Sequence, residues 1–255
     1  MVEQFVYTEK VGGSNPSLPT MVDQLRKDLR SYARREKALF LQTYFKTGPG
    51  EYGEGDLFLG VTMGDSRKIA RQYEALPLAE LKQLLSSKVH EERVVALLIM
   101  TRQFEKGDGA VKKRLFDFYL KHTKWVNNWD LVDQSAPTIV GEYLFLDPHK
   151  ALLTRLAASI SLWERRIAII ATLAFIKQGK PEETLRLAEL LLHDPHDLIH
   201  KAVGWMLREV GARCSREALE DFLKKHYRTM PRTMLRYAIE HFPKERQQAY
   251  LRGEV

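Results

Sequence analysis

The chain has a single cysteine, Cys214, among 255 residues. No intrachain disulfide can form, and zinc sites built on paired cysteines are excluded. A reducing compartment fits that usage. Long apolar runs are also missing. The longest, Ile167 to Ile176, is far shorter than the roughly 20 residues a membrane span needs. The N-terminus, MVEQFVYTEKVGGSNPSLPT, has no apolar core of the kind a secretory signal carries. These absences predict a cytoplasmic location and no membrane partner. No stretch reads as a strong β-strand, and the signatures G-x-S-x-G, Walker A and zinc deaminase do not occur.

What is present is basic and apolar. Forty Lys and Arg against thirty-three Asp and Glu leave a formal charge of +7. That excess favours an anionic partner, nucleic acid being the commonest, although a merely basic soluble protein has the same balance. Hydrophobic residues at 44 % are enough for a sizeable core, and charged residues at 29 % keep its surface soluble. Residues 1–20, rich in Gly, Pro, Ser and Thr, read as a flexible tail. Residues 21–255 read as a single domain.

Helical periodicity and punctuation run through almost everything after Met21. Ser161 and Glu164 have capping-box spacing. Pro181 and Pro231 sit where helices open, and Gly211 where one is expected to stop. About a dozen helices with short connections are expected. The segments EERVVALLI, ERRIAIIAT and HKAVGWMLR also align with one another. Arg93, Arg165 and Lys201 are each followed three residues later by a small residue: Ala96, Ala168 and Gly204. The last two are 36 residues apart and the first two 72, so a missing copy centres on Val132. HEAT-like units are two helices in about 40 residues and stack into a curved solenoid. The fold expected is therefore an all-α, HEAT-like α-α solenoid, with a non-repetitive helical bundle as the alternative.

In this register Asp133 falls where the other copies carry Leu97, Ile169 and Trp205. A carboxylate in an apolar series is costly unless it is paired or faces a groove, which suggests function; a capping or salt-bridged aspartate is the plainer reading. Trp125, Trp129 and Asp133 are spaced by four and, on one helix, share a face. Such a stripe is usually core. Here it ends in a carboxylate among Lys121, Lys124, Arg165 and Arg166, a setting that suits a sugar or cationic base held against a phosphate backbone. Gly48, Gly50 and Gly53 spell G-x-G-x-x-G, but no strand precedes them and Glu51, Glu54 and Asp56 would repel phosphate, so they form a loop. His196 and His200 have chelating spacing without the H-E-x-x-H glutamate, so they read as surface histidines of an inter-repeat turn rather than a metal site.

In order along the chain stand YFKTGPGEYGEGDLFLGV, WDLVD, LWERRIAI, HKAVGWMLREVG and MPRTMLRYAIEHFP. This set resembles the AlkD-type HEAT-like repeat DNA glycosylases, from roughly Met21 to the C-terminus. The resemblance implies a superhelix that cradles duplex DNA containing alkylated bases. It also implies hydrolysis of the N-glycosidic bond of N3- and N7-alkylpurines, such as N3-methyladenine and N7-methylguanine, as a base-excision step without metal or cofactor. By motif, Asp133 matches the catalytic carboxylate, Trp129 its aromatic neighbour and Trp205 a second cleft tryptophan. Arg166 matches an arginine that holds the DNA backbone. Tyr44 matches a tyrosine close to the lesion, and Arg67, in GVTMGDSR, lies where the family touches phosphates. Some relatives keep the fold and only bind DNA, so a non-catalytic DNA-binding scaffold is the alternative, and a protein-interaction solenoid a further one. A monomer is expected.

Overall fold

The computed structural model describes residues 20–146 and 151–255. Apart from Thr20, the tail expected over residues 1–20 lies outside them. Thr20 caps α1 (Met21–Ser31): its hydroxyl accepts from the Asp23 N–H while the Asp23 carboxylate accepts from the Thr20 N–H. There follow α2 (Arg35–Tyr44), α3 (Met63–Gln72), α4 (Leu78–Leu85), α5 (His90–Lys106) and α6 (Gly109–Lys121). A 3₁₀ turn (Thr123–Trp125) leads to α7 (Trp129–Ala136), a π-helical turn (Pro137–Glu142) and α8 (Tyr143–Leu146). The chain continues with α9 (Ala151–Ala157), α10 (Leu162–Ala171), α11 (Leu173–Lys177), α12 (Glu182–Leu190) and α13 (Asp197–Arg213). It ends with α14 (Arg216–His226), α15 (Arg232–Ala238) and α16 (Lys244–Arg252). Among the described residues there is no β-strand, only one isolated parallel bridge between Leu57 and Val89.

The helices form two rows. In one, α3, α5, α7, α10, α13 and α15 each pack on the next. In the other, α4, α6, α9, α12 and α14 lie against the backs of these helices. This is an all-α solenoid, and the 36-residue period is its ladder. Ala96, Val132, Ala168 and Gly204 lie on α5, α7, α10 and α13, four successive members of the first row, and all four are buried. A small residue at this point sets how closely neighbours approach. At Gly204 a Cβ would stand 2.5 Å from the Met234 carbonyl oxygen, so α13 and α15 can pack this tightly only over glycine. Buried side chains from Val22 to Tyr250 form one continuous hydrophobic cluster.

Three local expectations change. Gly211 does not end its helix. α13 runs on to Arg213, and the bare face of Gly211 lets Leu219 of α14 close against it, where a Cβ would meet that side chain at 2.4 Å. Ser161 caps α10 through the Glu164 N–H, but the Glu164 carboxylate turns instead to the hydroxyls of Ser159 and Thr123. Trp125 is not on the helix of Trp129 and Asp133. It belongs to the preceding 3₁₀ turn, because Asn128 caps α7 and starts it only at Trp129. The Trp125 ring carries the Lys124 ammonium 5.0 Å from its centre.

Candidate functional site

The first turns of α7, α10 and α13 meet along one side of the stack. Asp133 lies one turn into α7 and Arg166 one turn into α10. The Arg166 guanidinium closes on the Asp133 carboxylate as a fork, Nε to Oδ1 at 2.9 Å and Nη2 to Oδ2 at 2.8 Å. Its Nη1 donates to the Leu198 carbonyl in the first turn of α13. One arginine thus ties three rungs of the ladder together. It is also the deeper partner: its side chain is 6 % exposed against 16 % for Asp133. The pair points its negative end outward. Burial pushes the Asp133 carboxyl above the usual carboxylate range, and Arg166 pulls it part of the way back.

Outward from Asp133 opens a cleft of about 400 Å³. Tyr44, Arg67, Trp129 and Asp133 all line it, so four of the six residues singled out from sequence share one wall. Arg166 reaches the cleft through Asp133. Trp205 is not among the lining residues. It sits half-buried on α13 with its indole N–H on Glu209 Oε1 at 3.1 Å.

The Trp129 indole stacks on Phe45, centres 5.2 Å apart and planes 16° from parallel, and takes the Tyr44 ring edge-on at 6.1 Å. Beneath them is a buried charge cluster. His90 touches Asp56 through Nδ1 at 3.0 Å and Asp130 through Nε2 at 2.8 Å. Arg93 adds a 2.6 Å contact to Asp56. Burial works against an imidazolium at His90, but the two carboxylates outweigh it and push its pKa up to about 9. Burial likewise opposes charge on Asp56, yet His90 and Arg93 hold its pKa below the ordinary value. The next residue, Glu91, accepts from the backbone N–H groups of Leu59, Gly60 and Val61 at 2.8 to 3.2 Å. Gly60 can lie there because its φ is +80° and its α-carbon faces the Arg34 carbonyl. The start of α5 therefore fixes both the Asp130 end of α7 and the loop leading to Arg67.

Sequence reasoning missed Tyr52. It comes from the glycine-rich loop of residues 46–56, whose other residues are mostly exposed. Gln42 pins that loop by donating to the Thr47 hydroxyl and the Asp56 carbonyl. The Tyr52 hydroxyl donates to the Tyr44 carbonyl at 3.5 Å and lies near the Trp129 indole N–H, its ring meets Trp163 edge-on at 6.1 Å, and Lys201 lies within electrostatic reach. Lys201 stands one turn before Trp205 on α13. Burial raises the Tyr52 phenol above its usual pKa, against the opposing effect of the nearby Trp129 indole. Tyr52 thus stands beside Tyr44 and Trp129, two of the residues that line the cleft. No local spacing announces this contact; only the aromatic in an otherwise polar, glycine-rich loop was a signal.

Each of the two histidines that could have suggested a metal has one ring nitrogen engaged in local structure. His196 Nδ1 accepts from the Leu198 N–H at the start of α13, and His200 Nε2 lies on the Asp194 carbonyl. Among the described residues no group of three His, Cys, Asp or Glu side chains is arranged to hold a metal ion. Nor is any described helix long and apolar enough to cross a membrane.

A family model described as DNA alkylation repair enzyme matches residues 25–242. The chain belongs to that family. Membership places its work in the repair of alkylation damage, with DNA as substrate. A solved structure titled as a predicted DNA alkylation repair enzyme from Enterococcus faecalis is similar in fold. Its TM-score is 0.62 at 16 % identity, over 83 % of this chain and 97 % of that one. Comparison with curated proteins gives no match.

Proposed function

We propose that this family member is a DNA glycosylase that hydrolyses the N-glycosidic bond of cationic alkylpurines in duplex DNA, acting as a monomer in the cytoplasm. The observation that carries the reading is the orientation of the Asp133–Arg166 pair, with the carboxylate at the mouth of an aromatic cleft and its counterion behind it.

Alkylation at N3 or N7 makes the purine a cation and already a good leaving group. What the site must supply is stabilisation of the positive sugar and a water on its opposite side. Asp133 supplies both, by charge and by holding the water. A carboxylate about 4 Å from the developing cation is worth roughly 4 kcal/mol at an effective dielectric near 20. The guanidinium, about 4 Å further back, takes away roughly half of that. The remaining ~2 kcal/mol corresponds to about thirtyfold in rate. A DNA phosphate that drew Arg166 toward itself would restore the rest, and this is how the arginine would serve the backbone. Trp129 and Trp205 would flank the sugar with their ring faces, adding about 0.5–2 kcal/mol. Tyr44 would lie by the lesion and Arg67 by a phosphate.

Asp133→Asn tests the reading. The amide keeps the shape and removes the charge. Release of N7-methylguanine from a duplex should fall by at least tenfold while duplex affinity, read by fluorescence anisotropy, changes little. Full release by Asp133→Asn would exclude the mechanism. Binding without release by the wild-type protein would make it a DNA-binding scaffold.

A further inference from the structure

Next to the Asp133 cleft is a second hollow, of about 340 Å³, between α3, α5 and the π-helical turn. The two share Arg67 and Gln134 as walls, so a ligand in one runs on into the other. Arg67 and Arg71 stand one turn apart on α3, both exposed, and among the described residues neither has an ion-pair or hydrogen-bond partner. Their neighbours do. Lys68 is held by Asp65 at 2.9 Å, and Arg102, on the facing wall, gives two N–H groups to Glu74. Two like charges at i, i+4 destabilise a helix when nothing compensates them. An unpaired pair retained at the edge of the cleft is explained by an anion that comes from outside.

We propose that this hollow seats two successive phosphodiesters of the DNA strand whose damaged nucleotide lies at Asp133. The inference rests on the DNA reading given above. One helical turn separates the two arginine stems by about 6 Å, which suits two anions in a row better than one ion held between them. Thr138 faces the same space from the turn after α7. The Gln134 Oε1 is buried with no partner, and a water from the phosphate hydration shell would supply the missing donor. Glu105 also borders the hollow and opposes an anion there; Arg67 and Arg71 outnumber it.

The test is the salt dependence of binding to an undamaged, fluorescein-labelled duplex, for wild type, Arg71→Gln, Arg71→Lys and Lys82→Gln. Lys82 lies on α4 in the other row and controls for net charge. Arg71→Gln should weaken binding about tenfold and reduce the slope of log affinity against log salt by about one. Arg71→Lys should keep most of that slope, and Lys82→Gln should change affinity less than about twofold. If Arg71→Gln matches Lys82→Gln, the subsite is wrong. Calorimetry with inorganic phosphate separates the other source. Phosphate binding that is lost in Arg71→Gln without any change in duplex affinity would make the hollow a free-anion site and overturn the proposal. Base release is measured on the same samples. If wild type releases no base yet Arg71→Gln still weakens binding, the glycosylase reading falls and the phosphate subsite stands.

Discussion

Arg166 lies behind Asp133, and the fork between them joins two helices 33 residues apart in sequence. Its removal would leave a buried carboxylate with no counterion. Arg166→Gln should therefore raise the Asp133 pKa further, since Arg166 is what holds it down. The acid limb of the excision rate should move to higher pH, read from single-turnover rates across a pH series. Stability in urea should drop by about 3 kcal/mol, the usual consequence of breaking a buried pair from one side. An acid limb that stayed in place would show that Asp133 is not the titrating group.

The ladder and the oddity of Asp133 were legible in the sequence because both depend on period. Ala96, Ala168 and Gly204 mark the helices that pack in one row, and Asp133 stands where Leu97 and Ile169 are buried. Trp205 occupies the same register, and it too is only half-buried. Arg166 is identified by its motif and not by the period, although it lies one turn ahead of Ile169, the counterpart of Asp133 in the next unit. By motif alone Arg166 looks free to hold a phosphate, and its engagement by Asp133 is invisible. Contacts with no period were illegible. Asp56, His90 and Asp130 come from a loop and two helices, and Tyr52 from a loop whose path depends on Gln42 and Gly53.

The His90 cluster gives the fold an alkaline limit. Folded His90 binds its proton up to about pH 9, whereas the unfolded residue releases it near its ordinary value of 6.5. The stabilisation is fully present below pH 6.5 and is lost as pH rises through 9. Its size is about 3 kcal/mol. The melting temperature should fall steadily between pH 7 and 10. His90→Gln should be less stable at pH 6.5 and should lose this slope. An unchanged slope in His90→Gln would place the titration elsewhere.

Tyr52 stands between Trp129 and Trp163 beside the cleft, so it should limit the size of adduct the cleft admits. Tyr52→Ala removes the ring. Release of a bulky N7-benzylguanine relative to N7-methylguanine should rise about tenfold or more. Tyr52→Phe keeps the ring, loses the hydroxyl beside the Trp129 indole, and should leave that ratio within about twofold while altering tryptophan emission. A change of this size follows from fitting or excluding one small apolar group in a pocket, about 1–3 kcal/mol. Equal ratios in wild type and Tyr52→Ala would remove Tyr52 from substrate selection.

The charge of the lesion should decide which bases are released. A neutral purine leaves well only if an acid protonates it. Three acidic groups line the cleft besides Asp133, and each is engaged. Asp130 is on His90 Nε2, Glu91 is on three backbone N–H groups, and the His90 protons are both directed at carboxylates. Asp133 itself is a base here, forked by Arg166 through both oxygens. With the carboxyls and the imidazole of the cleft all engaged, N7-methylguanine and N3-methyladenine should be released from duplex DNA, and uracil, hypoxanthine and ethenoadenine should not. Released base would be measured by chromatography at a fixed time with protein in excess. A hypoxanthine rate within tenfold of the N7-methylguanine rate would mean that a proton reaches the leaving base, and Asp130 would then be the first residue to replace.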